Sequence, residues 1–184
     1  SALELLLSAT DVDGDPVIFT AVSSDPINVS TNISGNLLTL TPALNFNGSA
    51  TISVTASDGT EDSNVETFTL TVSPVNDAPV LSAIADTTTQ EEVAVDIILS
   101  ATDVDDGDIL TYSASSDNEN VTPEVSGNLL TLTPALNFNG LATISVTAND
   151  GTEDSNTETF VLTVSAVNDA PVMVAIADTT TQEE

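Results

Sequence analysis

The sequence repeats itself at an interval of 92 residues, and its 184 residues make two periods. The stretch LTLTPALNFNG at 38–48 returns at 130–140, VNDAP at 75–79 returns at 167–171, and ADTTTQEE at 85–92 returns at 177–184. Between 35–92 and 127–184 only seven of 58 positions differ. The first third of each period is looser: Asp106 is an extra residue of the second copy, and one position is lost again near Ser24. Self-similarity at a fixed period is the signature of a repeat architecture. The fold must therefore close within one period and then be made again.

The period also sets out the domains. The copies are best divided at VNDAP, because Pro79 and Pro171 end runs of alternating strand residues and cannot donate to a sheet. This predicts a repeat lacking its first strand at 1–77, a complete repeat at 78–169, and a stub at 170–184 with the sequence of another copy's first strand. The chain opens mid-pattern at Ser1, Ala2 and Leu3, as a fragment or processed piece of a longer protein would.

Within the complete copy, alternating apolar and polar residues predict seven short strands, at 80–85, 93–100, 109–115, 119–125, 128–133, 141–148 and 157–165. Ala142, Ile144, Val146 and Ala148 show the period of two most plainly. Gly, Asn, Asp and Pro clusters separate the strands. The chain is 40% hydrophobic with a mean hydropathy of +0.18, which argues against disorder despite its charge. Seven short strands in one period predict an all-β fold, an immunoglobulin-like β-sandwich repeated in a linear array, with a four-strand hairpin array as the weaker alternative. Phe160, Tyr112, Leu130, Leu132 and Ile144 are the expected core.

Charge narrows the chemistry. The chain has 29 Asp plus Glu and no Lys, Arg, His or Cys, for a net charge of -29. No salt bridge between side chains can form. Phosphates lack cationic partners, so nucleic acid is not an expected ligand. Histidine-based triads, the usual Cys/His zinc sites, disulfides and lysine isopeptide links are all excluded. A polybasic membrane anchor is excluded too, and no apolar run is long enough to insert in a bilayer. Hard oxygen donors remain in abundance, and Ca²⁺ is the cation they suit best.

ATDVDGD at 9–15, NFNG at 45–48, ASDG at 56–59 and VNDAP at 75–79, in that order, resemble the cadherin-like tandem repeats of large bacterial surface proteins, including the extender domains of RTX-type adhesins. The resemblance covers both periods. It implies a Greek-key sandwich with Ca²⁺ bound where successive domains meet, in an extracellular or cell-surface protein. In a sandwich the loops gather at two poles. Loops 101–108 and 149–156 belong with the incoming linker, and loops 86–92 and 134–140 belong with the exit at Asn168 and Asp169. The expected ligands at the inner junction are Asn76, Asp77, Asp103, Asp105 and Asp150. Asp11, Asp13 and Asp58 would serve an upstream junction, and Glu91, Glu92, Asn168 and Asp169 a downstream one. The alternative for all of these acids is a solvated loop.

The sequence departs from the cadherin pattern at one place. Cadherins carry an Asp-x-Glu pair near the start of the penultimate strand, where this chain has Asn45-Phe46-Asn47 and Asn137-Phe138-Asn139. Neutral amides compensate less of the ion's charge, so one or two ions per junction are expected, with affinities of roughly 10⁻⁴ to 10⁻³ M. Asp11, Asp13 and Asp15 also resemble the start of an EF-hand, but the Gly at loop position 6 and the Glu at position 12 are missing. The function expected is a structural repeat of a stalk, adhesin or fibre, not an enzyme. Its partners are neighbouring copies of the repeat, in the same chain or head-to-tail. A filament joined by strand addition through 170–184 and a carbohydrate-binding module are the alternatives.

Overall fold

The computed structural model describes residues 1–105, 107 and 109–183. Asp106 and Asp108 of the predicted 101–108 loop, and Glu184 at the end of the predicted stub, lie outside the described residues. The chain divides into two compact units, Ser1–Asn76 and Asp77–Glu184. No helix occurs among the described residues, which form strands, bridges, turns and irregular loops.

Unit 1 is built from β1 (Leu3–Leu6), β2 (Ile18–Ser23), β3 (Val29–Ser34), β4 (Leu37–Pro42), β5 (Gly48–Ser57) and β6 (Glu66–Val72). One antiparallel sheet has the order β1-β4-β3 and the other β2-β5-β6. Alternate residues point inward, as the pleat requires. Val29, Leu38, Leu40, Ala50 and Ile52 are buried between the sheets, with Phe46, Val54, Phe68 and Leu70 half-buried against them. Burying each Leu or Ile contributes about 1.5–3 kcal/mol. With no disulfides or side-chain ion pairs available, this burial carries the stability.

Unit 2 repeats this plan and adds to it. Its strands are β7 (Val80–Leu81), β8 (Thr87–Gln90), β9 (Val95–Ile98), β10 (Ala101–Thr102), β11 (Thr111–Ser116), β12 (Val121–Ser126), β13 (Leu129–Pro134), β14 (Gly140–Asn149) and β15 (Glu158–Ser165). The sheets have orders β11-β14-β15-β8 and β12-β13-β9, with β7 and β10 as a separate short pair. All pairings are antiparallel except β8 with β15, which run parallel from Leu162 beside Thr87 to Ser165 beside Gln90. The core holds Leu81, Leu99, Leu130, Leu132, Ile144, Val146, Phe160 and Leu162, each at most 2% exposed. Four of the five expected core residues are buried there. The fifth, Tyr112, is half-buried, and its hydroxyl accepts the Ala101 N–H at 3.1 Å.

Two features differ from the sequence expectation. The segment 86–92, read as a loop, contains β8. Three successive β-branched threonines favour a strand, and with Thr87 and Thr89 turned inward they line an edge that β15 leaves open. Conversely, the first predicted strand at 80–85 is reduced to Val80–Leu81. The remaining six predicted strands form within a few residues of their predicted bounds. The segment 166–183 forms no strand in this chain and is exposed throughout.

Candidate metal centre

The acidic loop after β10 is held by its own first residue. The Asp105 N–H donates to Asp103 Oδ1 at 2.8 Å, a turn that short acidic side chains favour. Asp105 Oδ2 in turn accepts the Asp77 N–H at 2.8 Å, which ties the linker to this loop. Asp103 Oδ2 is buried and accepts no hydrogen bond from the described residues. A buried carboxylate oxygen without a partner costs free energy that only a donor or a cation offsets.

The second loop begins where β14 ends. Asp150 Oδ1 accepts the backbone N–H groups of Thr152 at 2.6 Å and Glu153 at 2.7 Å, and Asp150 is 8% exposed. Gly151 follows at φ 101°, which only glycine adopts without strain. This loop lies at the same end of unit 2 as the linker, because Asn156 beyond it accepts the Leu81 N–H at 2.9 Å. Hydrogen bonds thus link Asp77, Asp105 and Asp103, and Asp150 sits in another loop at the same end of unit 2. Asn76, half-buried, is the residue before Asp77. Even so, no group of three or more carboxylates is arranged to hold an ion among the described residues.

Unit 1 carries the same two loops. Asp11 Oδ1 accepts the N–H groups of Asp13 at 2.8 Å and Asp15 at 3.1 Å. Asp58 Oδ1 accepts those of Thr60 at 2.7 Å and Glu61 at 2.8 Å. The Glu61 N–H first, and then the Thr60 N–H, hold the Asp58 carboxyl below its ordinary value. Asp11 and Asp58 line one cavity of about 210 Å³, with Glu61 and Asp62 in its wall. Asp13 is exposed outside that cavity.

The far end of unit 2 is arranged differently. Glu91 is 6% exposed, and its carboxylate accepts the Val167 N–H. Glu91 therefore anchors the chain as it leaves β15. Glu92 beside it is exposed with φ 65°. Asn168 and Asp169 are also exposed, and the Asn168 side-chain amide donates to the Asp169 carbonyl at 3.2 Å. Asn45 and Asn137 adopt φ 57° and 56°, and Phe46 and Phe138 reach back to within 3.4 Å of the space a Cβ on Gly48 or Gly140 would take. That geometry makes NFNG a turn closed by its own phenylalanine. Two clips escaped the sequence reading: Asn156 on Leu81, and Asp86, whose Oδ1 accepts the Val161 N–H at 2.8 Å. Only their recurrence as Asn64 and Asp178 marks them in the sequence.

Comparison with known proteins agrees with this architecture. Residues 1–73 match the family described as a cadherin-like domain, and residues 76–163 match the bacterial Ig domain. Among solved structures, human protocadherin-24 EC1-2 superposes with a TM-score of 0.56 at 17% identity, over 90% of this chain and 88% of that one. Human mucin-like protocadherin EC1-2 gives 0.52 at 22% identity, over 88% and 92%. Mouse cadherin-23 EC22-24 gives 0.51 at 18% identity, over 89% of this chain and 58% of that one. At these identities the likeness is one of fold. None of the curated proteins matches the sequence. Unit 1 belongs to the cadherin-like domains and unit 2 to the bacterial immunoglobulin-like domains, so the chain is a tandem of cadherin-like β-sandwich repeats.

Proposed function

We propose that the chain is a structural repeat of an extracellular stalk, adhesin or fibre, stiffened by Ca²⁺ where one repeat follows the next. The observation that carries the calcium reading is Asp103 Oδ2, a buried carboxylate oxygen with no hydrogen-bond partner among the described residues, in a chain with no cationic side chain. A hard cation fits an all-oxygen donor set of this kind. Asp77, Asp103, Asp105 and Asp150 would hold it at the linker end of unit 2, with Asn76 adjoining. Asp11, Asp13 and Asp58 would hold its counterpart in unit 1. Glu91 is engaged with Val167, so Glu91, Glu92, Asn168 and Asp169 form the less suited set. Bound there, the ion neutralises carboxylates that repel one another.

The residues of the chain do the rest. Asp105 already grips the Asp77 backbone, so any order gained in the 103–105 loop passes directly to the linker. Cadherin-like and bacterial immunoglobulin-like domains are typically structural modules of surface proteins, and the function proposed needs no catalytic group. The acidic coat keeps a long array soluble. The decisive measurement is thermal melting in millimolar Ca²⁺, in Mg²⁺ and in excess chelator. A rise in Tm specific to Ca²⁺ is expected, and an unchanged curve rejects the calcium assignment.

A further inference from the structure

Each unit has one sheet whose outer face carries no acid. In unit 2 it is the sheet β11-β14-β15-β8. The pleat sends Ile144, Val146, Phe160 and Leu162 into the core, so the residues between them face outward. These include Ser145 and Thr147 on β14, Thr159 and Thr163 on β15, and Ser113 and Ser115 on β11. In unit 1 the sheet β2-β5-β6 follows the same plan, with Thr51, Ser53 and Thr55 on β5 and Thr67, Thr69 and Thr71 on β6. Ile18, Val22 and Leu141 also stand on these faces, at 62%, 64% and 63% exposure. Glu66 and Glu158 open β6 and β15, but they share the inward row of Phe68 and Phe160.

Strand propensity does not account for the missing acids. Asp and Glu are disfavoured in strands generally. Yet the other sheet of each unit carries them facing outward, as Glu4 on β1, Asp96 on β9 and Glu124 on β12. Nor does the face depend on which strands a unit has at its edge. In unit 2 β8 is in place beside β15, and the outer face still lies open to solvent at Ser113, Ser115, Leu141 and Thr159.

The charge of the chain says what such a face suits. A net charge of -29 holds copies apart. Two copies can touch only where no carboxylate is trapped between them, because no Lys or Arg exists to answer it. A cationic partner would be drawn to the acids, which lie elsewhere. The partner that requires acids to be kept away is one that is itself anionic, and each chain meets such a partner in its own copies.

We propose that these neutral faces are where copies of the chain associate side by side, sheet against sheet. Ser and Thr are short enough to let two faces approach to the usual spacing of about 10 Å. Ile18, Val22 and Leu141 supply apolar area. Three or four strands about 4.8 Å apart, each some 20 Å long, make a face of roughly 300–400 Å². A standard interface buries about 800 Å² on each partner. One face is therefore a weak contact, and tandem repeats strengthen it by making it many times. The contact has no ion pair to lose and a repulsion to screen, so salt strengthens it. It needs no calcium and is tested without it.

The test is sedimentation equilibrium of the full 184-residue chain in chelator, up to millimolar protein. It is run in dilute buffer and in about 1 M sodium chloride, where the Debye length is about 3 Å. The average mass is expected to rise with concentration toward twice 18.8 kDa, and to rise further in high salt. Ser53→Asp with Ser145→Asp places one charge at the centre of each face, and this variant is expected to remain at 18.8 kDa in both buffers. Ser53→Asn with Ser145→Asn has nearly the same shape without the charge and is expected to associate, which separates repulsion from misfolding. Thr41→Asp with Thr133→Asp puts the same charges on the opposite sheets and is expected to associate like the unaltered chain. A chain that stays monomeric at millimolar concentration in high salt overturns the proposal. So does association that weakens with salt, or that survives the charges at positions 53 and 145.

Discussion

The two repeats are nearly the same sequence and do not have the same core. Phe160, Leu162 and Val164 of unit 2 are buried, whereas Phe68, Leu70 and Val72 of unit 1 are only partly covered. Phe68 and Leu70 are identical to their partners and sit at the same register against the neighbouring strand. The difference comes from the segment 78–92, which lies over one sheet edge and not over the other. Burial is thus a property of the neighbour as much as of the residue, and a single short segment sets the depth of a whole domain's core.

The largest expected effect tests this contrast at its centre. Leu162→Ala should lower unit 2 stability by about 2–5 kcal/mol, because a buried leucine leaves a cavity. Leu70→Ala in unit 1 should cost distinctly less, and denaturant titration followed through two transitions would measure both. Equal losses would break the comparison. Calcium comes next. At roughly ten to a hundred times its Kd, Ca²⁺ should stabilise the unit that binds it by about 1–3 kcal/mol. Asp103→Asn should abolish the rise in unit 2 while leaving any rise in unit 1. In chelator the same variant should be neutral or more stable, since it removes an unpartnered buried charge. Calorimetry with and without Ca²⁺ distinguishes these outcomes.

A smaller effect separates the repeats at one atom. The Tyr112 hydroxyl accepts the Ala101 N–H, and unit 1 has Phe19 at the equivalent place. Tyr112→Phe should cost unit 2 about 1 kcal/mol, and thermal melting would resolve it. The smallest effect is a difference in acid response. Asp25 caps its turn on the Asn28 side chain and N–H, which hold its carboxyl below 3.8. In unit 2 the neutral Asn118 makes the corresponding turn on Asn120. A depressed acid contributes stability above its unfolded value and loses it as pH falls through the folded one. Unit 1 should therefore lose this contribution at pH below about 3.8, and Asp25→Asn should remove that part of the loss. Amide exchange at Asn28 across the acid range would report it.

Much of the architecture could be read from the alternation of apolar residues. Ala142, Ile144, Val146 and Ala148 state the inward face of β14 without help from anything distant. β8 was hidden because ADTTTQEE has no apolar residue after its alanine, and its strand character depends on the partner β15 offers. The acidic loops were legible as loops, since Asp103, Asp58 and Asp150 each take up the backbone amides that follow them. Their relation to one another was less so. That Asp105 accepts the Asp77 N–H depends on how a linker and a loop 28 residues apart fold back together. Glu91 shows the same limit: in sequence it is one of two exposed-looking acids, and in the fold it is buried against Val167.

The parallel pairing of β8 with β15 has a mechanical consequence. β8 lies near the start of unit 2 and β15 near its end, so tension along the chain draws the two strands past one another lengthwise. Their cross-links lie across the pull and are loaded together. In an antiparallel hairpin pulled at its open end the same bonds would give way one after another. The pairing of β8 with β15 is therefore loaded in shear, and the Asp105 clip on the Asp77 backbone brings the acidic 103–105 loop under the same pull.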